Sequence, residues 1–340
     1  MPRCLSRSPP PVRLVAIAIA VATAVGCKEV PHGGVRTPEA RAGELAPKRP
    51  AGPQVVRRVE ASELLPADLD LVVRLDLARI RAQLGAEAID RLLARALVEA
   101  APGPGAVVEV DPLLALAARR ADTVFVALRA EDPASGDRVV VLEGKLAGLS
   151  PDPARFHPGP PTILDGVRSF DRLGAADRAP RDATARVVAV GDRAIAFVSP
   201  VEVDSVERVL REGPDPRRGD PAAEGLVSVD LRVRRLGPAM ERRFPSLGAV
   251  VAGLDRVRGS AALLDDGLRV DLDVVGASED GAERLLRFAL ALRDGAAESD
   301  RAKVLASLAA ERTDKTVHLR WTLPAATLLA AIGDRAPPAP

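Results

Sequence analysis

The residues of this chain that could do chemistry are mostly acids and arginines, because it holds only three histidines and two cysteines. Asp271 and Asp273 stand two positions apart, which is the spacing of the first carboxylates in a calcium-binding loop. The third ligand position of such a loop would fall on Val275, and the alternation in LRVDLDV is typical of a β-strand. We therefore predict a strand here and no metal site.

The other acids and histidines also have ordinary structural explanations. Asp265-Asp266-Gly267 is typical of a hairpin turn, and Asp68 and Asp70 are expected to lead into the first strand. His157 lies in a Pro-rich segment predicted to be a loop, and His318 is predicted to lie on the polar face of a strand. With two cysteines in the whole chain, a thiolate metal site is excluded.

No established catalytic motif occurs in the sequence. The nucleophile elbow, the Walker loop, the zinc-binding His-Glu-x-x-His and the dinucleotide-binding glycine pattern are all absent. Tyrosine is missing and Trp321 is the single tryptophan, so the chain has few rings on which a sugar could stack. We expect Trp321 to be a core residue, on one strand face with Leu319 and Leu323. The sequence favours a noncatalytic binding module without a cofactor, and the alternatives are a carrier of an apolar ligand or a hydrolase.

The best candidate for a contact surface is a basic span from Arg232 to Arg258. It holds seven arginines against Glu241 and Asp255, a local charge of 7 − 2 = +5. If the span is helical, seven- and eight-residue spacings place three of its arginines on one face, namely Arg235, Arg242 and Arg243. Their guanidinium groups could bind lipid phosphates, an anionic ligand or an acidic envelope protein. The alternative is a solvated face balanced by acids from elsewhere in the fold.

The N-terminus has the pattern of an export signal. Arg3, Arg7 and Arg13 precede the apolar run Leu14–Gly26, whose 13 residues are fewer than the roughly 20 that cross a bilayer. Removing residues 1–26 takes away three arginines and no acid, so the formal charge falls from +1 to 1 − 3 = −2. That balance gives no reason to expect a nucleic-acid partner.

The end of this run, Ala24-Val25-Gly26-Cys27, resembles the lipobox of bacterial lipoproteins. The resemblance implies that Cys27 is diacylated, becomes the new N-terminus and holds the protein to a membrane. Lys28 follows where an inner-membrane retention signal has Asp, which favours the outer membrane facing the periplasm. The alternative is ordinary cleavage after Ala22-Thr23-Ala24, which would release the protein with Cys27 as a free thiol.

The remaining chain is predicted to form a tether and two α+β halves. Residues 27–58 are rich in Pro and Gly and predict a disordered tether with a root-mean-square reach of roughly 30 Å. Residues 59–212 and 226–334 are the predicted halves, residues 213–225 the linker between them and residues 335–340 a disordered tail.

Each half is predicted to contain a strand, a helix, hairpins and a further helix. SVERVLR (205–211) and GAERLLR (281–287) both follow a hairpin and suggest a duplication, and a pair of helices is predicted over 278–312. The order of elements predicts antiparallel sheet with helices packed on one face. The opening LLPADLDLVVRLDLARIR (64–81) resembles a recurrent start among uncharacterised predicted lipoproteins of GC-rich bacteria, a group that implies no activity.

Overall fold

The computed structural model describes most of the chain after the tether. The described residues are 59–87, 90, 111–129, 137–160, 164–174, 184–214, 224–233, 250–265, 267–295 and 305–324.

Within these residues the strands form a single antiparallel sheet of twelve, ordered β11-β12-β10-β9-β8-β1-β2-β3-β7-β6-β5-β4. The strands are β1 (Leu71–Asp76), β2 (Ala121–Leu128), β3 (Arg138–Gly144), β4 (Phe156–Pro158), β5 (Val167–Arg172), β6 (Arg186–Val190), β7 (Ala194–Val198), β8 (Val227–Arg232), β9 (Leu254–Leu264), β10 (Gly267–Gly276), β11 (Ala309–Thr313) and β12 (Thr316–Pro324). The pairing of β1 with β8 joins the two predicted halves in one sheet.

Four α-helices lie wholly within the described ranges and accompany the sheet: α1 (Leu77–Leu84), α2 (Pro112–Arg120), α3 (Val203–Glu212) and α4 (Glu279–Gly295). Their ends follow from local sequence. Asp76 begins α1 by accepting a 2.8 Å hydrogen bond from the backbone N–H of Arg79. Gly85 ends α1 with φ of 86°, a conformation that other residues rarely adopt. None of the helices in these ranges is long and apolar enough to cross a membrane.

Alternation of side chains along the strands defines two faces of the sheet. We call the face that carries Val73 the front face and the face that carries Val72 the back face. The register continues each face across the molecule. On the front face, the row that starts at Val73 passes through Val229, Gly259, Leu272, Leu319 and Ala310.

The first half of the sheet is buried on both faces. On the front face, α1 and α2 pack Ile80 and Ala117 against a cluster that includes Phe197. On the back face, α3 and the 3-10 turn Ala61–Leu64 belong to a second cluster that includes Leu64 and Val206. Strands β6 and β7 are consequently buried at every position. This half therefore has three layers.

The second half has a helix on its front face alone within the described residues. Helix α4 packs Ala282 and Leu285 against Val274 and Val317. Trp321 lies on the same face and is partly buried against the front cluster of the first half. On the back face, strands β8 to β12 present polar and charged side chains.

The prediction of α+β architecture with antiparallel sheet is confirmed, but the helices do not share one face. Helices α1, α2 and α4 lie on the front face and α3 on the back face, because the apolar side chains of β3, β6 and β7 point both ways. The matching segments SVERVLR and GAERLLR thus lie in helices on opposite faces, α3 and α4.

Two local predictions were wrong. The helix pair expected over 278–312 gives way to strand β11 at Ala309, and the predicted loop around His157 contains the short strand β4.

Candidate functional site: the open back face

The residues proposed from the sequence for lipidation and contact fall outside the described part of the chain. These are Cys27 and the arginines Arg235, Arg242 and Arg243. Three other arginines of the same basic span are described, and all three lie on the back face: Arg232, Arg256 and Arg258.

Strands β8 to β12 place a group of charged side chains together on the back face. We call this group the open face, and its members are Asp230, Arg256, Arg258, Arg269, Asp271, Asp273, Glu311, His318 and Arg320. Each member alternates along its strand with an apolar residue of the front face, so burial of the front face turns the charges outward.

The first cluster of the open face contains one acid and two arginines. Arg256 donates two hydrogen bonds to the carboxylate of Asp230, one of them from Nε to Oδ1 at 2.7 Å. The hydrogen bonds to Asp230 raise the pKa of Arg256 above its usual value. Nε of Arg258 lies 3.9 Å from Oδ2 of the same carboxylate. The Asp230 side chain is 17% exposed and that of Arg258 is 57% exposed, so the acid is recessed beneath a guanidinium group.

The second cluster repeats this arrangement two strands away. Asp271 accepts hydrogen bonds from Nε of Arg320 at 2.6 Å and from Nε of Arg269 at 2.9 Å. The Arg320 side chain is 71% exposed, against 33% for Asp271. Each cluster therefore carries a net charge of +1, and in each the most exposed member is an arginine.

One cross-strand row of the open face alternates acidic with basic side chains. Directly opposed positions run from Asp230 on β8 through Arg258, Asp273 and His318 to Glu311 on β11. Nδ1 of His318 lies 2.7 Å from Oδ1 of Asp273. Opposite charges on facing strands stabilise a sheet, so this row helps to hold the register of the second half.

The open face holds four arginines and four acids, a formal charge of 4 − 4 = 0 with His318 counted as neutral, and its excess of guanidinium groups is confined to the two clusters. Guanidinium groups offer planar pairs of N–H donors that match carboxylates and phosphates. In the described part of the chain, no group of three His, Cys, Asp or Glu side chains is placed to hold a metal ion. Asp271 and Asp273 lie in strand β10, as the sequence predicted, and their oxygen atoms contact Arg320 and His318 instead of each other.

One ion-pair cluster of the first half is built around a buried acid. Glu202 is fully buried and accepts hydrogen bonds from Arg129, one of them at 2.9 Å from Nη2. Arg129 also donates to Asp68 at 2.7 Å. Burial raises the pKa of the Asp68 carboxyl, but the hydrogen bond and the charge of Arg129 lower it. The net result is a pKa below the usual value. Asp68, which the sequence suggested as a polar lead-in to β1, is therefore part of an ion-pair cluster.

Sequence reasoning missed the open face as a unit. Its signal is the alternation of charged and apolar residues in LDRVRG, LRVDLDV and VHLRWTL, three segments that become neighbouring strands. Arg320 lies next to Asp271 because β12 pairs with β10, although α4 and β11 separate these two strands along the chain.

No protein-family model matches the chain, and no curated protein matches it significantly. Crystal forms I, III and IV of the protein TP0453 are similar in structure at 10%, 12% and 11% identity, with TM-scores of 0.47, 0.46 and 0.47. The matches cover 82%, 82% and 81% of this chain and 98%, 99% and 96% of TP0453.

Proposed function

We propose that this protein is a noncatalytic envelope lipoprotein that binds an anionic partner through its open face. One observation carries the proposal. A single continuous sheet is covered on its back face by α3 and the 3-10 turn in the first half, and in the second half that face presents two clusters of arginines over recessed acids. The partner class is an acidic envelope protein or an anionic ligand with carboxylate or phosphate groups.

The membrane anchor in this proposal is a diacyl group on Cys27. Its support is the short apolar run after three arginines, ending in Ala24-Val25-Gly26-Cys27. The Pro/Gly-rich residues 28–58 would hold the folded part clear of the lipid, and Lys28 favours the outer membrane facing the periplasm.

Lipidation is tested by metabolic labelling in a bacterial host. The wild type is expected to incorporate labelled fatty acid and fractionate with membranes, and Cys27→Ser is expected to do neither. Equal labelling of the two proteins would reject Cys27 as the lipidated residue, and a wild type without label would favour cleavage after Ala24.

Anion binding is tested on a protein that lacks the signal and begins at residue 28. The double variant Arg258→Ala/Arg320→Ala removes the most exposed guanidinium group of each cluster, and Arg287→Ala/Arg293→Ala on α4 is the matched control for net charge. We expect the control to bind anionic vesicles and acidic envelope proteins like the wild type, and the open-face variant to bind them more weakly. Wild-type binding should weaken with salt, because exposed charges are screened beyond about 8–10 Å.

The same assay includes Arg235→Ala/Arg242→Ala/Arg243→Ala, which tests the other arginines of the basic span. If the wild type binds and only this triple variant loses binding, the anion site lies in the 234–249 segment and the open face is a solvated surface. If neither variant changes binding, both surfaces are rejected.

A carrier of an apolar ligand is the second candidate function. It is favoured by the half-buried apolar residues of the front face between α1, α2 and α4, among them Val227, Ala261, Val270 and Trp321. Mass spectrometry of organic extracts from the purified protein checks it, since a carrier should release a stoichiometric lipid.

A further inference from the structure

Strand β11 ends the sheet on the side of the second half. In the described part of the chain, β11 pairs with β12 and with no other strand. Four of its five residues are exposed, Ala310 being the exception. The strand at the opposite end, β4, is three residues long and ends in Pro158, which has no N–H for a further strand to accept. The two edges of the sheet therefore differ in their capacity to pair.

The turn before β12 determines which backbone groups of β11 point away from the sheet. Thr313 and Thr316 face each other across the two-residue turn Asp314-Lys315, so they form the hydrogen-bonded pair that closes the hairpin. Hydrogen-bonded and non-hydrogen-bonded pairs alternate in antiparallel strands. Arg312 and Ala310 therefore direct their N–H and C=O groups outward.

Two side-chain rows of the sheet end at this edge. On the front face, an apolar row through Leu272 and Leu319 ends at Ala310. On the back face, the alternating row Asp273, His318, Glu311 ends on an acid. A further strand would extend both rows, with an apolar side chain opposite Ala310 and a cation opposite Glu311.

We propose that β11 binds an extended segment of a partner protein as an additional antiparallel strand, and that the segment carries a Lys or Arg opposite Glu311 beside an apolar residue opposite Ala310. The outward backbone groups of Ala310 and Arg312 give affinity, and the two rows give the side-chain preference. The inference goes beyond anion binding by the two arginine clusters, since it adds the backbone edge of the sheet, where Glu311 of the open face sets a requirement for a cation.

A second copy of this chain does not meet that requirement. When two copies join edge to edge with their faces continuous, residues of the same face oppose each other, so Glu311 meets Ala309, Glu311 or Thr313 of the other copy. None of these is a cation, and the register that opposes Thr313 to Glu311 also opposes Arg312 to Arg312. Like charges in facing positions destabilise the pair.

The test uses two labelled peptides that differ at one residue: Thr-Val-Lys-Val-Thr extended by two Thr at each end, and the same peptide with Glu for Lys. Binding to the protein that begins at residue 28 is measured by fluorescence anisotropy at low salt. We expect the Lys peptide to bind about fivefold tighter than the Glu peptide. Glu311→Lys should reverse the preference, and Glu212→Lys, the same charge change on α3, should leave it unchanged.

The backbone contribution is tested by Ala310→Pro, which removes an outward N–H and no hydrogen bond to β12. It should abolish binding of both peptides while circular dichroism and the melting temperature stay at their wild-type values. Should Ala310→Pro unfold the protein, the charge reversal by Glu311→Lys remains as an independent test. Absence of wild-type binding up to about 1 mM peptide overturns the proposal. The proposal is also overturned if the Glu311→Lys variant still prefers the Lys peptide to the Glu peptide as the wild type does.

Peptide binding at the β11 edge can be tested separately from anion binding by the open face. Arg258→Ala/Arg320→Ala should keep its preference for the Lys peptide, and Ala310→Pro should keep its binding to anionic vesicles. Failure at the edge with intact vesicle binding rejects only the strand addition.

Discussion

Both halves of the sheet contain ion pairs between an arginine and an acid, but the pairs lie in opposite environments. In the first half, Arg129 bonds to a carboxylate of Glu202 that water does not reach. In the second half, Arg320 bonds to Asp271 on a face where the guanidinium group is largely exposed. A buried pair is costly to break, whereas an exposed pair contributes little to stability and remains available to a partner. Buried charges such as Glu202 therefore stabilise the fold, whereas exposed charges such as Arg320 are accessible to a partner.

The difference originates in the strands themselves. RVVAV and AIAFV of β6 and β7 have almost no polar position, so both faces of these strands need a cover, which α1, α2, α3 and the 3-10 turn supply. LRVDLDV of β10 alternates, so only one face requires a helix. Burial on two faces predicts that the first half is the more stable framework, while the back face of the second half stays exposed.

The largest effect that this comparison predicts is for Arg129→Met. Removing the guanidinium group leaves Glu202 buried without its charge partner, and we expect a loss of about 3–5 kcal/mol in the free energy of unfolding. Arg320→Met is the matched change on the open face, with an expected loss of about 0–1 kcal/mol. Urea unfolding followed by circular dichroism measures both, and equal losses would show that the two halves do not differ in this way.

Core truncation should show a smaller contrast in the same direction. Leu142 is fully buried between layers of the first half, and Leu142→Ala should cost about 2–5 kcal/mol. Leu319 is half-buried on the front face of the second half, so the cost of Leu319→Ala should lie at or below the low end of that range. A larger cost for Leu319→Ala would mean that the second half is packed as tightly as the first.

The elements of this fold were predictable where local pattern determines them. Strand β1, helix α1 with its Asp76 cap and the hairpin turn at Asp265 follow from alternation, spacing and turn residues, and the structure has them. His318 lies on the polar face of β12, as its alternation with Val317 and Leu319 predicted.

What sequence could not supply was the order of strands and the assignment of helices to faces. The helical spacing of SVERVLR and GAERLLR is similar, but the face each helix covers depends on which strands it packs against. Nothing local in VHLRWTL indicates that Arg320 will contact Asp271, a residue 49 positions earlier. The open face is therefore a product of topology, and only its alternating charges were visible beforehand.

Glu143→Gln is expected to stabilise the protein modestly at neutral pH. Burial and then the charge of Glu60 raise the pKa of the Glu143 carboxyl, on the back face of β3. The folded state therefore binds this proton more tightly than the unfolded state, so the ionised group reduces stability above the folded pKa. The gain should be below about 1 kcal/mol, because water screens a partly exposed carboxyl.

The pH dependence distinguishes this cause from a packing effect. The difference in melting temperature between Glu143→Gln and wild type should be present at pH 7 and should shrink as pH falls through the folded pKa, vanishing below the unfolded value of about 4.3, where the carboxyl is protonated in both states. A difference that stays constant over this range would assign the gain to packing of the amide.

Asp271→Asn is expected to have the smallest effect on stability. It also gives the most specific test of binding by the open face. The substitution keeps the size of the side chain and removes the charge that Arg269 and Arg320 share, so unfolding should change by about 0–1 kcal/mol. The two guanidinium groups are then left without their acid, and affinity for anionic vesicles should rise. Arg320→Ala lowers affinity from the same cluster, so the two variants should move binding in opposite directions with nearly unchanged melting temperatures. If Asp271→Asn weakens binding as Arg320→Ala does, the intact ion pair is what a partner recognises, and the second half would then be a preformed polar surface instead of a source of free cations.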